Sequence, residues 1–252
     1  MIKMNRMKLI FTICFLLFTR VFFSQELPDK YANFYNSTFE MDFKSKVKLL
    51  NKTIKENPKD PWYLWMLASV YEMQNEPKKV VENYEKSIKI DPNFSAGYAS
   101  LARFYYTNDT TRLDTALTYI NNAIELSPNA DYFYIDQGRI YLLQKKYDLA
   151  IKSAEQELLK PEANTDEVYE IIVKSLYAQK KMEELNSLLK RVDLSNGWVY
   201  DYKYVMMLGV LYGNLGDLKK SCNCFEGLAR DYEETGQTLP ADLVLKLKKC
   251  KK

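Results

Sequence analysis

The chain has 252 residues, of which 47% are apolar, 27% charged and 14% aromatic, with only 8 Gly and 8 Pro. This excludes collagen-like, low-complexity and turn-rich all-β chains. There is no histidine, which excludes imidazole metal sites, Ser-His-Asp triads and Cys-His pairs, and the formal charge of +3 is too small to argue for a nucleic-acid partner.

The N-terminus reads as a processing signal. Residues 1–8 carry Lys3, Arg6 and Lys8 and no acid, Leu9–Thr19 is almost wholly apolar, and Arg20 and a short Val21-Phe22-Phe23 run precede Ser24-Gln25. A basic start, a short apolar stretch and a small residue predict a secretory signal over residues 1–24. The expected location is the periplasm or cell exterior. An uncleaved anchor is the alternative, and membrane contact is expected only through this segment. The apolar stretch is shorter than the ~20 residues of a spanning helix, and Arg20 interrupts it. Cleavage removes four basic residues (Lys3, Arg6, Lys8, Arg20) and no acid, turning the formal charge from +3 to −1.

Residues 25–58 predict a degenerate first helical unit, recognisable in its second half through Val47, Leu50 and Ile54. From residue 59 to 238 the chain repeats itself. Tyr71, Tyr105, Tyr141, Tyr177 and Tyr212 recur at spacings of 34, 36, 36 and 35 residues. Pro58, Pro92, Pro128 and Pro161 keep step with them. Three residues before the tyrosines stand Ala68, Ala102, Gly138, Lys174 and Gly209, of which Lys174 alone is large. Within a period the apolar spacing is helical, as in Leu64, Leu67, Ala68 and Tyr71, then Val80, Val81, Tyr84 and Ile88. Asp60-Pro61 reads as an N-cap and first helical position. Asn75-Glu76-Pro77 interrupts the pattern, so each period predicts two antiparallel helices of about 13 residues. The Asn108–Thr111 stretch holds a two-residue insertion. In the fifth unit Lys174 replaces a small residue and the second helix, Met182–Arg191, looks short, predicting looser packing.

These positions resemble the tetratricopeptide repeat family, in which a large residue, Leu, a small residue and Tyr occupy the first helix and a small-aromatic-small series the second. Here that reads Leu64, Leu67, Ala68, Tyr71, Val80, Tyr84, Ser87 and Pro92, and later Leu208, Gly209, Tyr212, Ser221 and Phe225. The resemblance implies an all-α fold, a right-handed α-solenoid of about five to six antiparallel helix pairs. The segment 239–252 then reads as a capping helix, with Leu243, Leu245 and Leu247 on its apolar part.

The resemblance also implies a concave groove lined by the first helix of each pair. By position it selects Trp62 and Trp65, Arg103 with Tyr106 one turn on, Tyr132, Ile135 and Arg139, and Met206. The expected ligand is a protein or peptide with apolar side chains and an acid for Arg103 and Arg139. The alternatives are that the tryptophans pack on the first unit and that the arginines are paired within the chain. The Lys and Asn that hold a chaperone C-terminus in some members are replaced here by Trp65 and Ser69.

No phosphate loop, nucleophile elbow or dinucleotide fingerprint occurs in the sequence. Glu183-Glu184 and Glu233-Glu234 fall on predicted exposed faces. After Cys14 leaves with the signal, Cys222, Cys224 and Cys250 are read as free thiols, with a bridge from Cys250 to one of the pair as the alternative in an oxidising compartment. Cys222 and Cys224 would point to opposite sides of one helix. No cofactor, metal or catalytic residue is expected. The resulting expectation is a non-catalytic interaction scaffold of the bacterial cell envelope. A glycan- or peptide-binding accessory of an envelope uptake or secretion system is the alternative.

Overall fold

The computed structural model describes residues 28–130, 132–160, 165–195 and 201–250. The expected signal segment 1–24 lies outside them, as do Pro161 and the last two residues of the expected cap. The described residues are helical, with no strand among them, and the architecture is an α-solenoid of antiparallel helix pairs. None of these helices is long and apolar enough to cross a membrane. Two compact units divide after Ile140.

The first unit begins with α1 (Asp29–Thr38) and α2 (Phe43–Glu56). Three tandem elements follow: α3 (Pro61–Glu72) with α4 (Pro77–Ile90), α5 (Ser95–Asn108) with α6 (Leu113–Leu126), and the start of α7 (Phe133–Leu143). Neighbours in the chain pack on one another from α2 to α6. Asp42 caps α2 through the Ser45 amide, and Asp60 caps α3 through the Trp62 amide with Pro61 at the first position. The inserted residues before α6 form a 3₁₀ turn, Thr110–Arg112, with Asp109 accepting from the Thr111 amide. One continuous core links α2 to α7, and Ala68, Ala102, Ala116 and Ala123 in it are fully enclosed. Those short side chains let helix axes close to about 8–10 Å.

The second unit contains α8 (Tyr147–Glu157), α9 (Thr165–Ala178), α10 (Met182–Arg191), α11 (Tyr202–Asn214), α12 (Leu218–Thr235) and α13 (Ala241–Cys250). Here α9 packs on α8 and α10, and α12 on α11 and α13. Helix α10 is the short helix of the fifth period, with Leu185, Leu188 and Leu189 buried beneath it. Helix α13 covers Phe225 and Leu228 of α12 with Leu243 and Leu247, which lie one turn apart. Leu245 was expected beside them but is 61% exposed. Two residues along a helix rotate a side chain by about 200°, so 243 and 245 cannot share a face.

The tyrosine ladder is not uniform. Tyr105 stacks on Tyr119 at 5.9 Å beneath the Arg112 guanidinium. Tyr212 is enclosed, donating to the Val192 carbonyl and accepting from the Leu194 amide. Tyr177 is half exposed, in the unit whose small position is taken by Lys174. The Lys174 ammonium turns to Asp201 Oδ2 at 2.6 Å and to Glu170, and Asp201 also caps α11 through the Lys203 and Tyr204 amides. A residue that breaks the packing pattern of α9 therefore ties α9 to the start of α11.

This tie predicts a pH profile. Burial opposes the Asp201 charge, but Lys174 and the α11 amides outweigh it and hold its pKa below the usual aspartate value. Burial likewise opposes the Lys174 charge, and its two carboxylate partners raise its pKa above the usual lysine value. The Asp201 contribution is complete above about pH 3.9 and is lost as pH falls through the lowered folded value. The Lys174 contribution is complete below about pH 10.4 and is lost as pH rises through the raised one. Lys174→Met should cost under about 1 kcal/mol near neutrality, because both side chains are partly solvated. The difference in melting temperature between wild type and Lys174→Met should be flat between those limits and collapse beyond each.

Close approach is strictest at Gly209, where a Cβ would land on the Phe225 ring. Ser221 on the same helix as Phe225 donates its Oγ hydrogen to the Gly209 carbonyl at 2.7 Å. Helix propensity alone would favour Gly209→Ala by about 1 kcal/mol. Overpacking a rigid buried ring costs about 1–3 kcal/mol, so Gly209→Ala should lower stability despite its better propensity. Urea unfolding of the single variant and of Gly209→Ala/Phe225→Leu checks this, the second change relieving part of the loss.

Candidate functional site

The leading helices place the expected groove residues in several different settings. Trp62 is half-buried, stacked on Tyr31 of α1 at 5.2 Å and edge-on to Phe94 at 4.8 Å and Trp65 at 5.7 Å. Tyr31 is tied down by donating its hydroxyl hydrogen to Asp60 at 2.8 Å, so the cap of α3 also fixes α1. Trp65 is buried, and its indole N–H donates to Ser100 Oγ at 2.7 Å. Trp62 thus rests in part on Tyr31 of the degenerate first helical segment, as the alternative reading of the sequence had it, while keeping part of its surface, and Trp65 is held within the repeats by Ser100 and Tyr84.

Arg103, expected to grip a ligand carboxylate, grips one from its own chain. Its Nη2 lies 2.6 Å from Asp136 Oδ2, and the Tyr106 hydroxyl donates to Asp136 Oδ1 at 2.7 Å. Asp136 is 1% exposed. Burial opposes the guanidinium charge, and the Asp136 carboxylate more than offsets that, raising the Arg103 pKa. Burial and the same carboxylate push the Tyr106 hydroxyl up. Arg103 and Tyr106 are therefore a buried bolt between α5 and α7. Asp136 is one residue beyond Ile135, itself fully buried and so also part of the core instead of a groove wall.

Arg139 and Tyr132 are half-buried in the first unit, Tyr132 with a left-handed φ of 67° just ahead of α7. The Arg139 charge lowers the pKa of Tyr106, counter to the dominant upward effect of burial, and so acts on the same buried cluster. Met206, in the second unit, packs against the Phe225–Leu228–Leu243 cluster under the cap.

A partly enclosed cavity of about 370 Å³ lies between α1, α2 and α3, where the repeat pattern points to no site. Phe34, Tyr35 and Thr38 line it from α1, and Lys46 and Leu50 from α2. The α3 wall includes Trp65, Met66, Ser69, Val70, Glu72 and Met73. A signal existed: Tyr31, Phe34, Tyr35 and Thr38 recur at i, i+3, i+4 and i+7 in a segment that shows none of the repeat pattern. Glu72 accepts a long hydrogen bond from Tyr84 at 3.3 Å, and burial raises its pKa. Burial lowers that of Lys46.

The cysteines are not all free. Cys222 on α12 is bonded to Cys250 on α13, with their Cα atoms 5.5 Å apart, and Cys224 is a buried thiol. The bridge joins two residues 28 apart and ties down the capping helix.

The tetratricopeptide repeat profile matches residues 63–94 and 202–229, one match in each unit. No curated protein matches the sequence. Among solved structures, the fold is similar to that of PilW, a widely conserved type IV pilus biogenesis factor. The TM-score is 0.62 at 13% identity, covering 88% of this chain and 96% of that one. PilF of Pseudomonas aeruginosa gives 0.62 at 18% identity, covering 88% and 96%. YrrB, a TPR protein with an unusual peptide-binding site, gives 0.53 at 15% identity, covering 79% and 97%. At these identities the likeness is one of fold. The repeat spacing, the helix pairs built on small residues and the matching profiles together show that the chain carries tetratricopeptide repeats.

Proposed function

We propose that the protein is an exported, non-catalytic scaffold of a bacterial cell envelope that holds a partner polypeptide against the leading helices of its repeats. The observation that carries this reading is the repeat fold: stacked helix pairs share their interior and leave the leading helices as a repeated binding surface. Trp62, Tyr132 and Arg139 are the partner contacts proposed in the first unit, since each keeps part of its side chain at the surface. Two observations support export. Residues 1–24 have the pattern of a secretory signal, and a bond such as Cys222–Cys250 persists in oxidising compartments. PilW, a type IV pilus biogenesis factor, and YrrB, a TPR protein with an unusual peptide-binding site, share this fold, and the second supports a peptide partner.

The test is affinity capture from envelope extract with wild type and Trp62→Ala/Arg139→Glu, after circular dichroism shows equal helicity. The captured partner is identified by mass spectrometry and its binding repeated with purified protein. Binding should weaken at least about tenfold in the variant, as expected for a hot-spot pair. Equal binding by both proteins would sink the proposed contact surface. N-terminal sequencing of the extracytoplasmic protein should begin at Gln25.

A further inference from the structure

We infer that the cavity between α1, α2 and α3 binds a free aliphatic monocarboxylate, its chain among Phe34, Leu50, Trp65 and Met66 and its head at the Lys46 ammonium. The volume of about 370 Å³ falls within the range of small-molecule sites, about 300–1,000 Å³. Its walls are dominated by apolar and aromatic side chains.

The polar groups in those walls are mostly spent. Thr38 donates to the Tyr35 carbonyl at 2.8 Å, and Ser69 to the Trp65 carbonyl at 3.2 Å. The Ser69 hydroxyl also meets the Tyr84 hydroxyl, which in turn donates to Glu72. A peptide backbone placed here would leave amide groups without partners, at a cost of about 1–3 kcal/mol each. An unbranched hydrocarbon chain brings no such groups.

Lys46 is the exception. It is half-buried, and its ammonium lies 5.9 Å from the Phe39 ring centroid with no carboxylate at ion-pair distance among the described residues. A partly buried cation gains from an anion that joins it where water is restricted. Glu72 also lines the cavity, and burial raises its pKa above the usual glutamate value, against the lowering effects of the Tyr84 hydrogen bond and the Arg103 charge. The arrangement calls for one negative head and one apolar tail.

The experiment titrates the purified full chain with decanoate at monomeric concentrations. Binding is followed by tryptophan emission, since Trp65 lines the cavity, and by calorimetry. Decanol, decyltrimethylammonium and an acetylated peptide ending in Leu with a free carboxylate are the comparators. Decanoate should bind best. Lys46→Met should weaken it at least about tenfold, the scale of a charge-assisted hydrogen bond, while Lys46→Arg should largely retain it. Absence of decanoate binding overturns the inference, as does equal affinity for decanol, retention in Lys46→Met, or tighter binding of the peptide. None of these results touches the scaffold reading, because partner capture is measured separately and with other variants.

Discussion

Asp136→Ala should destabilise the protein by about 3–5 kcal/mol, the cost of stranding a buried charge. The carboxylate is 1% exposed and serves two partners, Arg103 at 2.6 Å and the Tyr106 hydroxyl at 2.7 Å. Removing it leaves a guanidinium with little access to water and a buried hydroxyl without its acceptor. The pair itself need not be worth that much. Desolvating two charges offsets most of their attraction, and apolar replacements of similar volume are often neutral or stabilising. Arg103→Met/Asp136→Leu should therefore recover much of what Asp136→Ala loses. Urea unfolding of the three proteins, read as midpoint shifts at constant slope, checks both statements. If Asp136→Ala falls by less than about 1 kcal/mol, the level of an exposed pair, the Asp136 carboxylate is not enclosed in solution as the structure places it.

Breaking Cys222–Cys250 should cost about 3.5 kcal/mol, because the bridge joins residues 28 apart and its loss returns loop entropy to the unfolded chain. The effect is local in its structural consequence. Helix α13 is held by Leu243, Leu247 and the bridge, together with a hydrogen bond from the Tyr202 hydroxyl to Asp242 at 2.8 Å. Ten residues of helix are too few to persist alone in water. Cys250→Ser should therefore lower the melting temperature and speed amide exchange at Leu243 well before the core of the first unit responds. Wild type treated with reductant should behave the same way. Cys224, two residues from Cys222, is a poor competitor for the bond: burial pushes its thiol up to about 12, so little thiolate exists near neutrality to attack. A Cys224→Ala variant should keep the same bridge.

Much of the architecture was written in local spacing. Helix pairs follow from 3.6-residue periodicity interrupted at 34–36-residue intervals, and Asp60-Pro61 announces α3 because capping and proline geometry are properties of adjacent residues. The brevity of α10 was legible for the same reason. Turn conformation was less so. Asn75, Lys145 and Lys180 adopt positive φ between the helices of their pairs, where Gly216 serves in the last one. Lysine carries no strong turn signal, and the turn is imposed by the helices it joins.

The sequence alone therefore determined the class of the protein, its repeat register and the small residues at which helices meet, because these depend on contacts a few residues apart. The tertiary structure decided what each chemical group is for. Position in the repeat assigned Arg103 to a ligand, but the carboxylate that meets it comes from residue 136, and no spacing rule says which anion in a folded chain will reach a given cation. The choice of Cys222 over Cys224 for Cys250, and the cavity behind the unpatterned helix α1, were settled in the same way. Pairing, enclosure and desolvation belong to the packed molecule, where residues distant in the chain exclude water from one another.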